Sequence, residues 1–122
     1  MGFVDAEGLV RGLLAAAVTP VKVATKVPTT RPAEFIWVRR TGGPVMGRVV
    51  DQPQMTVTAW AATSVRALEL ANVARQALID SAKGSNGVHR VQMNSLYYDP
   101  DPDSGGDRYT FTAFLNVRAA RS

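Results

Sequence analysis

From Arg108 to Ala119 the chain alternates without a break: Tyr109, Phe111, Ala113, Leu115, Val117 and Ala119 fall on one side, Thr110, Thr112, Phe114, Asn116 and Arg118 on the other. Side chains of an extended strand point to opposite faces in turn, so this pattern specifies a long strand with one apolar face. Val88 to Tyr98 is read as its antiparallel partner. The connection between them, Asp99 to Asp107, is polar and rich in Pro and Gly, longer than a tight hairpin needs.

Other segments share this period. Met55 to Ala61 places Met55, Val57 and Ala59 on one side and Thr56, Thr58 and Trp60 on the other. Phe35 to Arg40 has four consecutive apolar residues, Phe35 to Val38, which predicts a strand covered on both faces at its middle. Gly42, Gly43 and Pro44 stop it. Val21 to Val27 predicts a short strand and Val45 to Val50 a further one, limited by Pro53.

Two segments have helical spacing. Val4 to Val18 carries Val4, Leu9, Val10, Leu13, Leu14, Ala17 and Val18, with Asp5 placed to cap it and Pro20 to end it. Gly8 and Gly12 each cost about 1 kcal/mol relative to Ala, so this helix needs a surface to pack on. The second helix runs from a hydroxyl cap at Thr63 or Ser64 to about Lys83, with Gly84 as its stop. On a helical wheel Val65, Leu68, Ala71, Leu78, Ile79 and Ala82 form one apolar face, and Leu70, Val73 and Ala77 an opposite strip. The strip is expected either to be covered by the first helix or to meet another subunit. Together these segments predict a single α+β domain over residues 1–122: a small mixed, mainly antiparallel sheet of four to five strands, with an N-terminal helix and one long helix packed on it.

Composition narrows the chemistry. A chain of 122 residues buries about two thirds of its extended surface, enough for a core without staples. There is no Cys, which excludes disulfides, thiolate nucleophiles and Cys-ligated zinc. The longest apolar run, Leu13 to Val18, is six residues against roughly 20 needed to span a bilayer, so a soluble protein is expected. Asp5 and Glu7 precede Arg11, the first base, which does not fit a secretory signal. The net charge of +4 comes from 11 Arg and 3 Lys spread along the chain, a distributed charge in place of a nucleic-acid tract.

No set of residues forms a recognisable catalytic constellation, and no cofactor is implied. His89 is the sole histidine and fits an ordinary strand position; Ser64, Ser81, Ser85, Ser95, Ser104 and Ser122 lie in no nucleophile elbow. Glu34, Asp51, Glu69 and Asp80 are scattered, and the remaining carboxylates share a loop expected to be mobile. In that loop Asp99, Asp101 and Asp103 have the one, three, five spacing used for calcium, but Thr110 stands where a bidentate Glu is required. A solvated acidic connection or a partner-contacting loop, with Asp99, Asp101, Asp103 and Asp107 as its contacts, fits better than a metal site. Arg39 and Arg40 beside Trp37, with Arg48 after the turn, are candidates for a basic rim.

Read in order, Val27-Pro28, Arg31-Pro32, Phe35-Ile-Trp-Val-Arg-Arg-Thr-Gly-Gly-Pro44, Val50-Asp51-Gln-Pro53, Val57-Thr-Ala-Trp60-Ala and Tyr98-Asp-Pro-Asp-Pro-Asp-Ser104 leading to Arg108-Tyr109-Thr-Phe-Thr resemble a known family. The chain is similar to the tail terminator, or tail-completion, proteins of long-tailed bacteriophages, over nearly its whole length. The resemblance implies a non-enzymatic virion protein at the head-proximal end of the tail, assembled in the host cytoplasm. Its subunits would close into a hexameric ring that caps the tail tube, stops tube polymerisation and joins the head connector, with DNA passing through the lumen without sequence-specific binding. Leu70, Val73 and Ala77 are the candidates for subunit contact. The alternatives are a head–tail connector or stopper protein, and a cytosolic α+β ligand-binding or catalytic dimer; a polar pocket with a perturbed carboxylate would favour the latter.

Overall fold

The computed structural model describes residues 6–30, 32–43, 45–46, 50–82 and 88–118. In chain order the elements are α1 (Ala6–Val18), β1 (Lys22–Ala24), β2 (Phe35–Gly42), β3 (Val45–Met46), β4 (Val50–Asp51), β5 (Gln54–Trp60), α2 (Ser64–Ser81), β6 (Val88–Met93), β7 (Tyr97–Tyr98) and β8 (Arg108–Arg118). The α+β class is as the sequence predicts. Five strands have three or more residues, and β3, β4 and β7 are two-residue pieces.

The short pieces continue longer ladders. β5 and β4 pair with one side of β8 in a single unbroken register, Trp60 opposite Arg108 at one end and Val50 opposite Arg118 at the other. Leu115 N–H donates to the Pro53 carbonyl across the gap between them, 3.1 Å. β2 and β3 likewise continue one another against β5 and β4, with a bulge between Arg40 and Gly42. β6 and β7 pair with the other side of β8, which realises the long antiparallel partner expected for residues 88–98, with a register shift between Val88 and Arg90. β1 adds to the outer side of β2 in parallel.

Two sequence expectations give way here. The strand expected over 21–27 is only three residues long, because the Thr25 carbonyl accepts a hydrogen bond from Trp37 Nε1 at 3.3 Å and leaves the ladder. The strand expected over 45–50 is instead the pair β3 and β4, which fold back on each other.

Both helices cover the same face of the sheet, α1 over β1 and β2, α2 over β5, β8 and β6, and they pack on each other. Ala6, Val10, Leu14 and Val18 of α1 recur every fourth residue and are buried. The helix ends as Val21 N–H reaches the Val18 carbonyl, 2.8 Å. The proposed start at Val4 and the Asp5 cap lie outside the described residues. Under the helices, Ile36, Val38, Met55, Val57, Phe111, Leu115 and Val117 are almost fully buried. Each large apolar side chain so buried contributes about 1.5–3 kcal/mol.

Thr63 caps α2 as expected, its Oγ1 accepting Arg66 N–H at 3.2 Å. Arg66 then clasps Glu34 through Nε (2.8 Å) and Nη2 (3.1 Å), tying the helix start to the approach to β2. Those hydrogen bonds hold the Glu34 carboxyl below its ordinary range. Lys83 and Gly84, the expected stop, lie outside the described residues. The buried face is not either of the two predicted strips. It is Ala67, Leu70, Ala71, Ala74, Leu78 and Ser81, which runs between them. Three alanines at its centre add little to a hydrophobic wheel, yet they permit close approach to α1 and the sheet, drawing Leu70 and Leu78 inward from opposite strips.

At the bend between β2 and β3, Gly43 has φ +96, and a Cβ there would lie 2.0 Å from the Gln52 carbonyl oxygen. Gly43→Ala is therefore expected to cost at least about 2 kcal/mol in urea unfolding. Gly12, whose added Cβ would meet nothing within 4 Å, sits exposed in α1, and Gly12→Ala is expected to add about 0.5–1 kcal/mol.

Candidate functional site

The sheet face opposite the helices is built by alternation. β2 contributes Trp37, Arg39 and Thr41, β5 contributes Thr56, Thr58 and Trp60, and β8 contributes Arg108, Thr110, Thr112 and Phe114. The register aligns Trp37, Thr58, Thr110 and Tyr97 as one row across four strands. Threonine hydroxyls satisfy each other along this face: Thr58 with Thr110 at 2.9 Å, Thr41 with Thr56 at 2.9 Å and Thr56 with Thr112 at 3.3 Å. Thr58 and Thr110 are fully buried although no helix covers them. Arg39 reaches over this row, donating from Nη1 to Thr58 Oγ1 at 3.3 Å while its guanidinium carbon stacks 3.6 Å from the Trp37 ring centroid. Burial, and then the neighbouring Arg108 charge, pull Arg39 below its ordinary pKa.

Arg40, the next residue, points the other way. Its Nη1 and Nη2 grip the buried Asp51 carboxylate in a fork, 2.7 and 2.8 Å, while Nε donates to the Gly42 carbonyl (3.0 Å) and Nη2 to that of Gly43 (2.8 Å). The backbone N–H of Arg40 is held by Glu7 Oε2 of α1, 2.9 Å. The hydrogen bond to Asp51 raises the Arg40 pKa further above its ordinary value. The expected basic rim is thus divided: Arg39 and Arg40 lie on opposite faces, Arg40 is neutralised within the chain, and Arg48 lies outside the described residues.

Within the loop from Asp99 to Asp107, expected to be mobile, the carboxylates of Asp99, Asp101 and Asp107 accept hydrogen bonds from local donors. Asp99 Oδ2 accepts from Thr110 Oγ1 (2.8 Å) and pairs with Arg108 Nη2 (3.5 Å). Asp101 Oδ1 accepts Asp103 N–H (3.2 Å), its Oδ2 accepts Ser104 Oγ (2.7 Å), and its backbone bonds Gly105 and Gly106. Asp107 Oδ1 accepts the Tyr98 hydroxyl. These bonds direct the acids to local donors in place of a common centre, and among the described residues no three His, Cys, Asp or Glu side chains gather to hold a metal. The loop's tip meets the aromatic end of the sheet: Asp101, Pro102 and Asp103 line a cleft of about 290 Å³ with Trp37, Trp60 and Arg108.

A second cleft, about 310 Å³, lies at the other end of the open face, with Gln52, Gln54, Arg90, Gln92, Asn116 and Phe114 in its wall. Its lining offers carboxamides and a guanidinium. His89 falls in β6, at the strand position expected. Of the three residues expected at a subunit contact, Leu70 is 2% exposed and belongs to the chain's own core, Ala77 is half-buried against it, and Val73 is 44% exposed. Among the described residues, no helix is long and apolar enough to cross a membrane.

Sequence reasoning missed the Arg40–Asp51 clamp and the Arg39–Trp37 stack. The second had a signal, since residues two apart in a strand share a face. Breaking the clamp at Arg40 strands a buried carboxylate, so Arg40→Ala is expected to cost about 3–5 kcal/mol in urea unfolding, more than Asp51→Asn. At Tyr98 the hydrogen bond to Asp107 raises the phenol above its ordinary value. The raised group binds its proton more tightly folded than unfolded, so its contribution is complete below about pH 10 and is lost as pH rises through the folded pKa. In an ultraviolet titration one of the three tyrosines should ionise late, and Asp107→Asn should return it toward the ordinary value.

A comparison with protein families matches residues 2–97 to the family described as phage tail termination protein. No curated protein matches the chain. The matched region runs from α1 through β6 to the first residue of β7 and takes in the Arg40–Asp51 clamp and the Arg39–Trp37 stack, so the chain belongs to the phage tail termination protein family.

Proposed function

We propose that the protein is a non-enzymatic subunit of a ring, a hexamer, that caps the phage tail tube at its head-proximal end, ends tube polymerisation and presents the joining surface to the head connector. Family membership over residues 2–97 is the observation that carries this reading. A ring is closed by heterologous contacts between unlike faces of identical subunits. α2 supplies one such face: Val65 (70% exposed) and Ile79 (37%) stand on its outer side with the exposed, polar Asn72 midway between them, and Val73 lies beside that row. With Leu70 committed to the core, subunit contact passes to these outward residues. The aspartate loop, with its internal hydrogen bonds, is then the projection for tube or connector contact, and DNA passes through the lumen without sequence-specific binding. A head–tail connector or stopper ring is the second reading, since it uses the same closure one layer nearer the capsid.

Negative-stain images and analytical ultracentrifugation of the purified protein, alone and with tail-tube protein, test this. Rings bound to tube ends are expected, and Val73→Glu combined with Ile79→Glu should return the protein to monomers with the thermal midpoint changed little, because both positions are exposed. A chain that stays monomeric even with tube protein present overturns the ring; rings that bind connector but never tube ends favour the second reading.

A further inference from the structure

Arg39 and Arg40 are adjacent in β2 and differ in how they spend their donors. A guanidinium has five N–H groups. Arg40 commits Nε, Nη1 and Nη2 within the chain. Arg39 makes one hydrogen bond, to Thr58, and among the described residues no carboxylate lies within ion-pair distance of it. Yet it is held: its guanidinium carbon lies 3.6 Å from the ring centroid of Trp37, whose indole N–H is anchored to the Thr25 carbonyl. A half-buried, stacked arginine has lost part of its hydration and little of its order remains to be gained, which is the condition of a preorganised anion receptor. Tyr97, 53% exposed, stands at the far end of the row beyond Thr58 and Thr110.

We propose that Arg39, mounted on Trp37, receives the carboxylate of an Asp or Glu side chain from an adjoining protein subunit. That the occupant belongs to an assembly neighbour rests on the function proposed above; the anion site itself does not. The surroundings favour a single carboxylate over a nucleic-acid backbone. Arg108, which shares this face, is already paired with Asp99, and Asp101 and Asp103 line the cleft beside Trp37. A polyanion gains affinity by engaging several unpaired cations in a row, and beside Arg39 the row is interrupted, since Arg108 is paired and the loop's acids stand next to it. A lone carboxylate needs only the planar fork, to which it binds with two parallel hydrogen bonds.

The chain has two tryptophans, and Trp37 and Trp60 are in ring contact at 6.1 Å, so intrinsic fluorescence reports on this stack. The intact protein is titrated with N-acetylglutamate amide, with inorganic phosphate and with a single-stranded oligonucleotide. The blocked glutamate should change the emission and saturate at roughly millimolar concentration, and Arg39→Gln should weaken that response at least about tenfold with an unchanged circular dichroism spectrum. Absence of an Arg39-dependent response to glutamate overturns the site. Tighter, Arg39-dependent binding of the oligonucleotide or of phosphate overturns the choice of a carboxylate. A protein that binds glutamate through Arg39 but never assembles supports the site and removes an assembly neighbour as its occupant, whereas one that assembles without any such response overturns the site and leaves the ring intact.

Discussion

β8 is paired along both of its edges, with β5 and β4 on one side and β6 and β7 on the other, so its alternation dictates the character of every strand beside it. Phe111, Ala113, Leu115 and Val117 demand cover, and α1 and α2 both go to that face. Thr110 and Thr112, on the reverse, face Thr58 and Thr56 across the ladder, where hydroxyls can satisfy each other without water. A shift by one residue would bury these hydroxyls under the helices and expose Phe111 and Leu115, so the register is strongly specified. The open face is a consequence of the core and not a separate design: polar, partly dry, and closed at one end by aromatic rings.

The clamp between Arg40 and Asp51 works on the same scaffold at the other end of the hairpin. The two residues are not neighbours in sequence, and they meet because β2 and β5 pair far enough for the arms to bend together at Gly43 and Pro53. Replacing a buried ion pair as a whole is often nearly neutral for stability, while leaving one partner alone is costly. The pair therefore penalises incorrect bends more than it strengthens the correct one. Its third partner, Glu7, carries the constraint to α1 through the Arg40 backbone.

How much was legible in the sequence follows from the range of the forces involved. The strands at 35–42, 54–60 and 108–118 and the Thr63 cap were readable, because a period of two and a hydroxyl cap are local properties. The faces of α2 were not, because Ala67, Ala71 and Ala74 are buried for their small size, which hydropathy undervalues. Nor were the partners of the aspartate loop. Evenly spaced acids look solvated or calcium-binding, and only the fold reveals that Thr110, Ser104 and Tyr98 stand ready to donate to them. Arg39 and Arg40 read as a single basic pair, and the strand's own geometry sets them back to back.

The family match ends at Tyr97, short of the strand that the matched part requires. β5 and β6 are both in the matched region, and what lies between them in the sheet is β8. Without it the two would face each other across an empty lane with their ladder hydrogen bonds unmade, so the folding unit is larger than the matched segment. Its remainder has only two obligations, an alternating strand and a connection long enough to reach it. The strand is held by register on both sides, which leaves the connection, whose tip lines a cleft with Trp37 and Trp60, as the part of the unit that the sheet constrains least. A connection of this kind can change its polar chemistry without altering the core beneath the helices.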